Sequence, residues 1–304
     1  MQKFENRLSS AQVKTLQEIN AYHLFSSDLV LPIRSALTAN AITPAVIQQK
    51  VVDALKHRAA YIEMLAQAQA SLSALGVKAD ALESGQAEIG FLLPRPLFNN
   101  DLTGLHRELR TLDRILRTIY EVANVTAGEI EVRQISTSDP TFFFGMDVTV
   151  LVHLGHTIKW CVEVIKGSLD IKKIAEASRA ASVSPEIVTA IEGQIAAKID
   201  EAVKQKALEM LFQYKGDMGR RNELQTSLNS ALEQMLQRVE RGMTVEIRLI
   251  PPPAQQTLAG DAHQAETREK FDELAAISKS LEFPQVQGAP ALQLTTDEPH
   301  PGAG

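Results

Sequence analysis

A run of seven apolar residues constrains the fold of this chain more than any other feature of its sequence. The run alternates steps of three and four residues without a break and comprises Leu102, Leu105, Leu109, Leu112, Leu116, Ile119 and Ala123. A repeat of about 3.5 residues is typical of a helix that packs one narrow stripe against another helix. Two interpretations remain open: a helical hairpin within one chain, or a seam between subunits.

Other segments carry helical signals as well. Thr43 followed by Pro44 predicts the start of a helix that ends at Gly76. Two later segments, residues 184–216 and 224–242, predict further amphipathic helices. We therefore expect helix to occupy well over half of the chain. The stripe of the first of these helices steps by four and three and comprises Val51, Leu55, Arg58, Ile62, Leu65, Gln69 and Leu72.

Three short segments break the helical period and alternate apolar with other residues. They are residues 88–94, 129–136 and 244–250, and this alternation predicts strands. The sequence therefore predicts an α+β fold, predominantly helical, in which a bundle of long amphipathic helices accompanies a small, mainly antiparallel sheet.

Two of the predicted strands are near copies of each other. Residues 130–135 and 245–250 each follow an amphipathic helix that ends at a glycine, which suggests two helix–strand units, about 1–136 and 137–250, although chance similarity explains six positions equally well. If the copies pair antiparallel with Val132 opposite Ile247, oppositely charged residues face each other. The sequence thus favours antiparallel pairing of these two strands.

The chain beyond residue 250 has a different composition. Residues 251–304 contain 3 basic and 8 acidic side chains and open with three prolines. We expect a linker and a short, weakly docked helix within residues 251–283, after a body formed by residues 1–250. Few large apolar groups occur in residues 284–304, so this tail is expected to be disordered.

The densest apolar stretch runs from Phe142 to Ile165 and has 24 residues, enough to cross a bilayer. Charged and histidine side chains interrupt it, which disfavours a simple span. The leading interpretation is the central helix of the bundle, and the alternatives are a contact between copies or a segment released to a membrane by a trigger. The apolar surface of this predicted helix extends almost around its full circumference, because it also includes Val152, Trp160 and Val164.

Composition disfavours several classes of function. The net charge is −6 and aromatic residues are 5% of the chain, so nucleic acid is not an expected partner. The single cysteine, Cys161, leaves no internal disulfide framework and fits a reducing compartment. The N-terminal residues do not resemble a secretory signal, and the expected location is the cytoplasm. Neither a phosphate-binding P-loop nor a dinucleotide glycine motif occurs, so no cofactor is assigned.

The best candidates for chemistry are His153, His156 and Glu163 on the predicted central helix. Zinc proteases place two histidines four residues apart with a glutamate between them, whereas these histidines are three apart and lack that glutamate. We therefore expect polar positions on the less buried side of the helix, and assign no catalytic or metal-binding residue.

A basic stripe accompanies the leucine run. Four arginines lie near one face of the predicted helix and are possible anion-binding residues, namely Arg107, Arg110, Arg114 and Arg117. Asp113 lies four residues before Arg117, and Glu121 lies four after it. This spacing predicts intrahelical ion pairs on a solvated face, which is the simpler interpretation.

Three short blocks, residues 89–95, 97–100 and 135–140, resemble segments of uncharacterised bacterial proteins. This resemblance implies a bacterial cytoplasmic setting and brings no activity or site with it. From the residues, we expect a nonenzymatic scaffold or sensor that binds its own copies or another protein. The expected contact residues are Leu102, Leu105, Leu109, Leu112, Leu116, Ile119, Val152, Trp160 and Val164. The alternatives are a triggered, toxin-like or defence effector that inserts residues 142–165 into a membrane, and an enzyme of unknown class.

Overall fold

The fold was obtained as a computed structural model. It describes residues 10–39, 44–76, 82–126, 128–136, 140–181, 184–212, 214–252, 262–284, 290 and 292. The chain forms two compact units, an N-terminal unit, Met1–Glu83, and a C-terminal unit, Ser84–Gly304. Most of the predicted tail, residues 284–304, lies outside the described residues.

The N-terminal unit is helical. Pro44 begins its longest helix as predicted, and Gly76, at φ +81°, follows the last turn. Within the described part of this unit, four side chains are buried, those of Ala21, Leu24, Ser26 and Ala36. The helices are α1 (Ser10–Glu18), α2 (Tyr22–Phe25), α3 (Leu31–Ala39) and α4 (Pro44–Ala74), with a 3-10 turn at Ser27–Leu29.

The described residues of the C-terminal unit form five long helices and four strands, which confirms the predicted, predominantly helical α+β class. In chain order its elements are β1 (Gln86–Leu92), a 3-10 turn (Arg95–Phe98), α5 (Leu102–Val122), β2 (Glu131–Ser136), β3 (Thr141–Gly145), α6 (Val148–Ala180), α7 (Pro185–Leu211), α8 (Met218–Glu240), β4 (Thr244–Ile250) and α9 (Ala262–Ser280).

The strands form one antiparallel sheet in the order β2-β3-β1-β4. Strands β1, β2 and β4 match the three predicted segments closely. The sequence does not predict strand β3, because Phe142–Phe144 is continuous with the apolar stretch that predicts the central helix. The helix begins only at Val148, where the Asp147 side chain accepts a hydrogen bond from the Thr149 amide and caps it.

The predicted pairing of the two similar strands is wrong. Strands β2 and β4 occupy opposite edges of the sheet, and Val132 lies opposite Phe144 while Ile247 lies opposite Ile89. Charge complementarity is worth only about 0.2 to 1 kcal/mol per cross-strand pair. The buried apolar residues of central β1 and β3 contribute more, and they separate the two strands.

Helix α6 lies at the centre of the C-terminal unit and contacts α5, α7, α8, α9 and β1. Its innermost side chains are fully buried, namely Leu151, Leu154, Ile158, Cys161 and Ile165. Helix α9 also belongs to the core, because Phe271, Leu274 and Ile277 are buried in the same cluster. The expectation of a weakly docked helix was therefore wrong. The sequence of a short amphipathic segment does not indicate how deeply the helix is buried against the elements it contacts.

Candidate interaction surfaces

The short helices of the N-terminal unit cover only the first half of α4. Phe25 makes an edge-to-face contact with Tyr61, at 6.3 Å between ring centroids, and lies 5.3 Å beneath the Arg58 guanidinium. The Tyr61 hydroxyl donates a hydrogen bond of 3.2 Å to the Ile19 carbonyl. The half-buried positions of α4 all belong to this covered side and are Ile47, Val51, Ala54, Arg58 and Tyr61.

The second half of α4 is uncovered, since every side chain from residue 62 to residue 76 is exposed. Five large exposed apolar residues at spacings of seven and three form what we call the α4 stripe, namely Leu55, Ile62, Leu65, Leu72 and, just past the last turn, Leu75. Leu75 is 80% exposed. Large exposed apolar patches are typical of surfaces that contact other molecules.

The sequence predicts the main contact surface of the protein on helix α5. In the structure this helix packs largely inside its own chain. Leu112, Leu116 and Ile119 are buried, and the helix contacts α8. Another chain therefore has no access to these three residues. Leu102 is 83% exposed, and Leu105 and Leu109 are half-buried against the core, so only the first turns of the run remain partly open.

The other expected contact residues lie on α6. Val152, Trp160 and Val164 are half-buried and pack against the core. Trp160 also lines an open groove of about 800 Å³ with Leu208 of α7 and with Phe212, which follows the end of that helix and is 85% exposed. The structure thus separates the expected contact residues between the core and two distinct surfaces.

The candidate chemical residues of α6 do not converge. The His156 Nε2 lies 2.7 Å from the Glu273 Oε1 of α9, a partner 117 residues away that helical spacing could not reveal. Glu163 is exposed and two helical turns, about 10 Å, further along the axis. Among the described residues, no group of three or more His, Cys, Asp or Glu side chains could hold a metal ion.

His153 has a perturbed environment. Burial lowers its pKa below 6.5, and the nearby His156, Lys206 and Lys270 lower it further, while the Glu273 carboxylate acts in the opposite direction. The folded protein therefore holds this imidazole in its neutral form over a wider pH range than the unfolded chain does.

This difference predicts a pH dependence of stability. As pH falls through about 6.5, the unfolded chain binds a proton at residue 153 that the folded state resists, so the free energy of unfolding should decrease. His153→Gln should make urea unfolding curves at about pH 7.5 and about pH 5.5 more alike. His106→Gln, at an exposed position on α5, is the control, and an equal effect of both substitutions would contradict the assignment.

Cys161 offers no accessible thiol. Its side chain is completely buried, and burial raises the pKa of the thiol far above its ordinary value. A thiolate is the reactive species in cysteine chemistry, so this residue acts as a small apolar core group.

A buried ion pair joins α5 to α8 and was not foreseen from the sequence. The Arg238 Nε donates to the Glu108 Oε2 at 2.6 Å, and its Nη2 donates to the Oε1 at 3.2 Å. Arg238 is 1% exposed and Glu108 is 2% exposed. A signal existed, because Glu108 lies three residues after Leu105 and four before Leu112, on the apolar side of the helix.

A second buried carboxylate closes the end of α8. Glu240 accepts hydrogen bonds from the Lys172 ammonium at 3.1 Å and from the Leu292 amide at 2.9 Å. The Arg241 guanidinium donates to the Leu292 carbonyl at 2.6 Å. Both backbone groups of this tail residue are therefore bound by charged side chains of the C-terminal unit.

The arginine stripe of α5 is exposed, and its ion pairs differ in part from those predicted. Arg117 bonds Asp113 at 2.9 Å, which confirms one predicted pair. Glu121 instead binds Arg220 of α8 through both oxygens, at 2.5 and 2.6 Å. Hydrogen bonding from Arg220 lowers the pKa of the Glu121 carboxyl group. The sequence could not reveal this pair, since its members are 99 residues apart.

No protein-family model, curated protein or solved structure matches this chain. Any functional conclusion therefore depends on the surfaces and contacts described above.

Proposed function

We propose that this protein is a nonenzymatic cytoplasmic scaffold or sensor whose copies associate through the α4 stripe. The observation that carries the proposal is the uninterrupted exposure of residues 62–76 on a 31-residue helix with a regular apolar repeat. Covering one leucine or isoleucine is worth about 1.5 to 3 kcal/mol, so several such residues provide a substantial driving force for association.

A second copy of the chain is the occupant that the residues of α4 favour. If two copies of α4 cross antiparallel about an axis between residues 68 and 69, Ile62 faces Leu75 and Leu65 faces Leu72. The same surface is then self-complementary, as a two-fold interface requires. Residues 62–75 overlap over about 21 Å in this arrangement.

The distribution of charge favours this antiparallel arrangement over a parallel one. Lys56, His57 and Arg58 lie in the first half of α4, whereas residues 64–76 contain no charged side chain. Parallel pairing in register would bring the exposed Lys56 of one copy close to that of the other, and like charges in close opposition are destabilising. Antiparallel overlap of the second halves avoids this contact.

The first test is disruption of the stripe. We expect the full chain to sediment as a dimer at high micromolar concentration, and the double variant Leu65→Asp with Leu72→Asp to sediment as a monomer, because each aspartate would be desolvated at the seam. Trp160, the single tryptophan, lies in the C-terminal unit and does not report on α4, so an unchanged helical signal in far-UV circular dichroism will show that the double variant still folds.

Leu102→Asp is the matched control, since it places the same charge at an exposed leucine of α5. This variant should remain dimeric. Dissociation by Leu102→Asp would assign the interface to α5 instead, and a monomeric wild-type chain at high concentration would exclude the proposal.

Cysteine cross-linking tests the orientation. Cys161 is buried, so introduced cysteines are the accessible thiols within the described residues. An oxidised mixture of the Leu65→Cys and Leu72→Cys proteins should form a heterodimeric cross-link, while each variant alone should cross-link poorly. Efficient cross-linking of either variant with itself would show a parallel pair.

A membrane role for α6 is the second candidate, because this helix is long and apolar enough to cross a bilayer. Half of its most apolar window is buried in the fold, however, and insertion would remove Leu154 and Ile158 from the core. Flotation of the chain with liposomes of anionic and neutral lipid tests this alternative, and we expect the protein to stay in the unbound fraction.

A further inference from the structure

The end of α8 holds one distant residue of the chain by its main chain. Glu240 accepts a hydrogen bond from the Leu292 amide at 2.9 Å, and Arg241 donates one to the Leu292 carbonyl at 2.6 Å. The chain bends at Leu292, whose side chain packs against the core of the C-terminal unit. We call Glu240 and Arg241, together with Lys172 of α6, the α8 clamp.

The charged groups of the α8 clamp are oriented by the folded body. The other carboxylate oxygen of Glu240 accepts a hydrogen bond from the Lys172 ammonium at 3.1 Å. A second nitrogen of the Arg241 guanidinium donates to the Gln237 carbonyl at 2.9 Å, within the last turn of α8. A fixed carboxylate beside a fixed guanidinium matches the amide and the carbonyl that every residue except proline carries.

The position of Glu240 is unusual for a carboxylate. It is the last residue of α8, where the helix dipole disfavours negative charge, and it is 1% exposed, where an ion needs partners. Local conflicts of this kind are typical of functional sites. A role in binding a main-chain amide accounts for a carboxylate at this place.

The contact at Leu292 is small enough to exchange. Beyond Pro284 the structure describes Pro290, which is exposed, and Leu292, which is half-buried. The described contact comprises one leucine side chain and two hydrogen bonds to main-chain groups. Because main-chain groups are the same in every protein, a leucine in a segment of another protein offers the same atoms to the α8 clamp.

We propose that the α8 clamp is a binding site for a leucine-bearing segment of another protein, and that Leu292 occupies it as a competitor from the same chain. Main-chain hydrogen bonds supply affinity with little dependence on sequence, and the apolar contact selects leucine. A second copy is a poorer partner, because its Leu292 is bound in its own clamp. The inference does not depend on self-association, and displacement of Leu292 would give a sensor its input.

The test uses a fluorescein-labelled peptide with the sequence of residues 288–296, GAPALQLTT, as the probe. Fluorescence anisotropy should show saturable binding to the full chain carrying Leu292→Asp, because an aspartate beside Glu240 is repelled from the clamp. The wild-type chain should bind the peptide about tenfold more weakly, since a tethered competitor has a local concentration on the order of millimolar. Equal binding to both chains would overturn the proposal.

Two substitutions added to the Leu292→Asp chain make the test specific. Arg241→Met should weaken peptide binding about tenfold or more, since it removes a charged donor to the peptide carbonyl. Arg107→Met removes an equal charge from an exposed position on α5 and should leave the affinity unchanged. Trp160 fluorescence reports whether the C-terminal unit of each variant folds. Equal effects of the two additions, or no binding to the Leu292→Asp chain, would contradict the assignment.

The self-association variants separate this inference from the proposed function. The double variant Leu65→Asp with Leu72→Asp should exclude the peptide as the wild-type chain does, because the α8 clamp and Leu292 belong to one C-terminal unit. Strong binding of the peptide to that monomer would show that Leu292 reaches the clamp from a second copy, and would exclude a competitor within the same chain.

Discussion

Replacing Glu108 with leucine is expected to lower the free energy of unfolding by about 3 to 5 kcal/mol. The substitution leaves the Arg238 guanidinium in the core with a single remaining hydrogen bond, to the Gln234 carbonyl at 2.9 Å. Burial of an uncompensated charge costs far more than the volume change of the side chain. Urea unfolding followed by Trp160 fluorescence measures the loss.

The double variant Glu108→Leu with Arg238→Met separates the charge from the packing. It removes both ions and fills the space with apolar atoms, so the stability should return to the wild-type value or exceed it. Lys204→Met breaks an exposed pair with Asp200 and should leave the unfolding curve unchanged. A double variant as unstable as the single one would show that the ion pair itself holds α5 to α8.

The second large effect is expected at Gly90, in the central strand β1. A Cβ atom at this position would overlap the ring of Phe143 on β3, whose Cζ lies 2.8 Å from it. The ring cannot easily move, because Phe143 is 2% exposed and the Arg248 guanidinium stacks on it at 3.9 Å. We therefore expect Gly90→Ala to lower the free energy of unfolding by about 1 to 3 kcal/mol.

Two comparisons identify the ring contact as the cause. Gly167→Ala places the same methyl group on helix α6 with no atom within 4 Å, and should raise the free energy of unfolding by up to about 1 kcal/mol. Adding Phe143→Ala to Gly90→Ala should make the glycine substitution nearly neutral in a double-mutant cycle. A full penalty without the ring would place the strain in the strand backbone.

Periodicity carried most of the fold prediction. The alternation of Ile89 with Phe91 and of Val245 with Ile247 identified two strands, and proline and glycine punctuation marked the limits of α4. Strand β3 could not be predicted, because three consecutive phenylalanines do not alternate with polar residues. A buried strand of this kind has the same sequence pattern as the start of a buried helix.

The same periodicity does not predict which element packs against the apolar face of each helix. The run on α5 and the stripe predicted for α4 from sequence both step by three and four residues, yet Leu116 lies in the core while Leu72 is exposed. Spacing specifies a face of a helix, and the identity of its partner depends on residues distant in sequence. The ion pair of Glu121 with Arg220 illustrates this limit, since α5 supplies the carboxylate and α8 supplies the guanidinium.

The position of β1 within the sheet has a consequence for how the C-terminal unit folds during synthesis on the ribosome. Ile89 of β1 pairs with Ile247 of β4, so β1 gains its second neighbour only after helices α5 to α8 have been synthesised. Domains usually fold as they emerge, from the N-terminus onward. Here the sheet that contains β1 is completed only when β4 has emerged, long after α4 has left the exit tunnel.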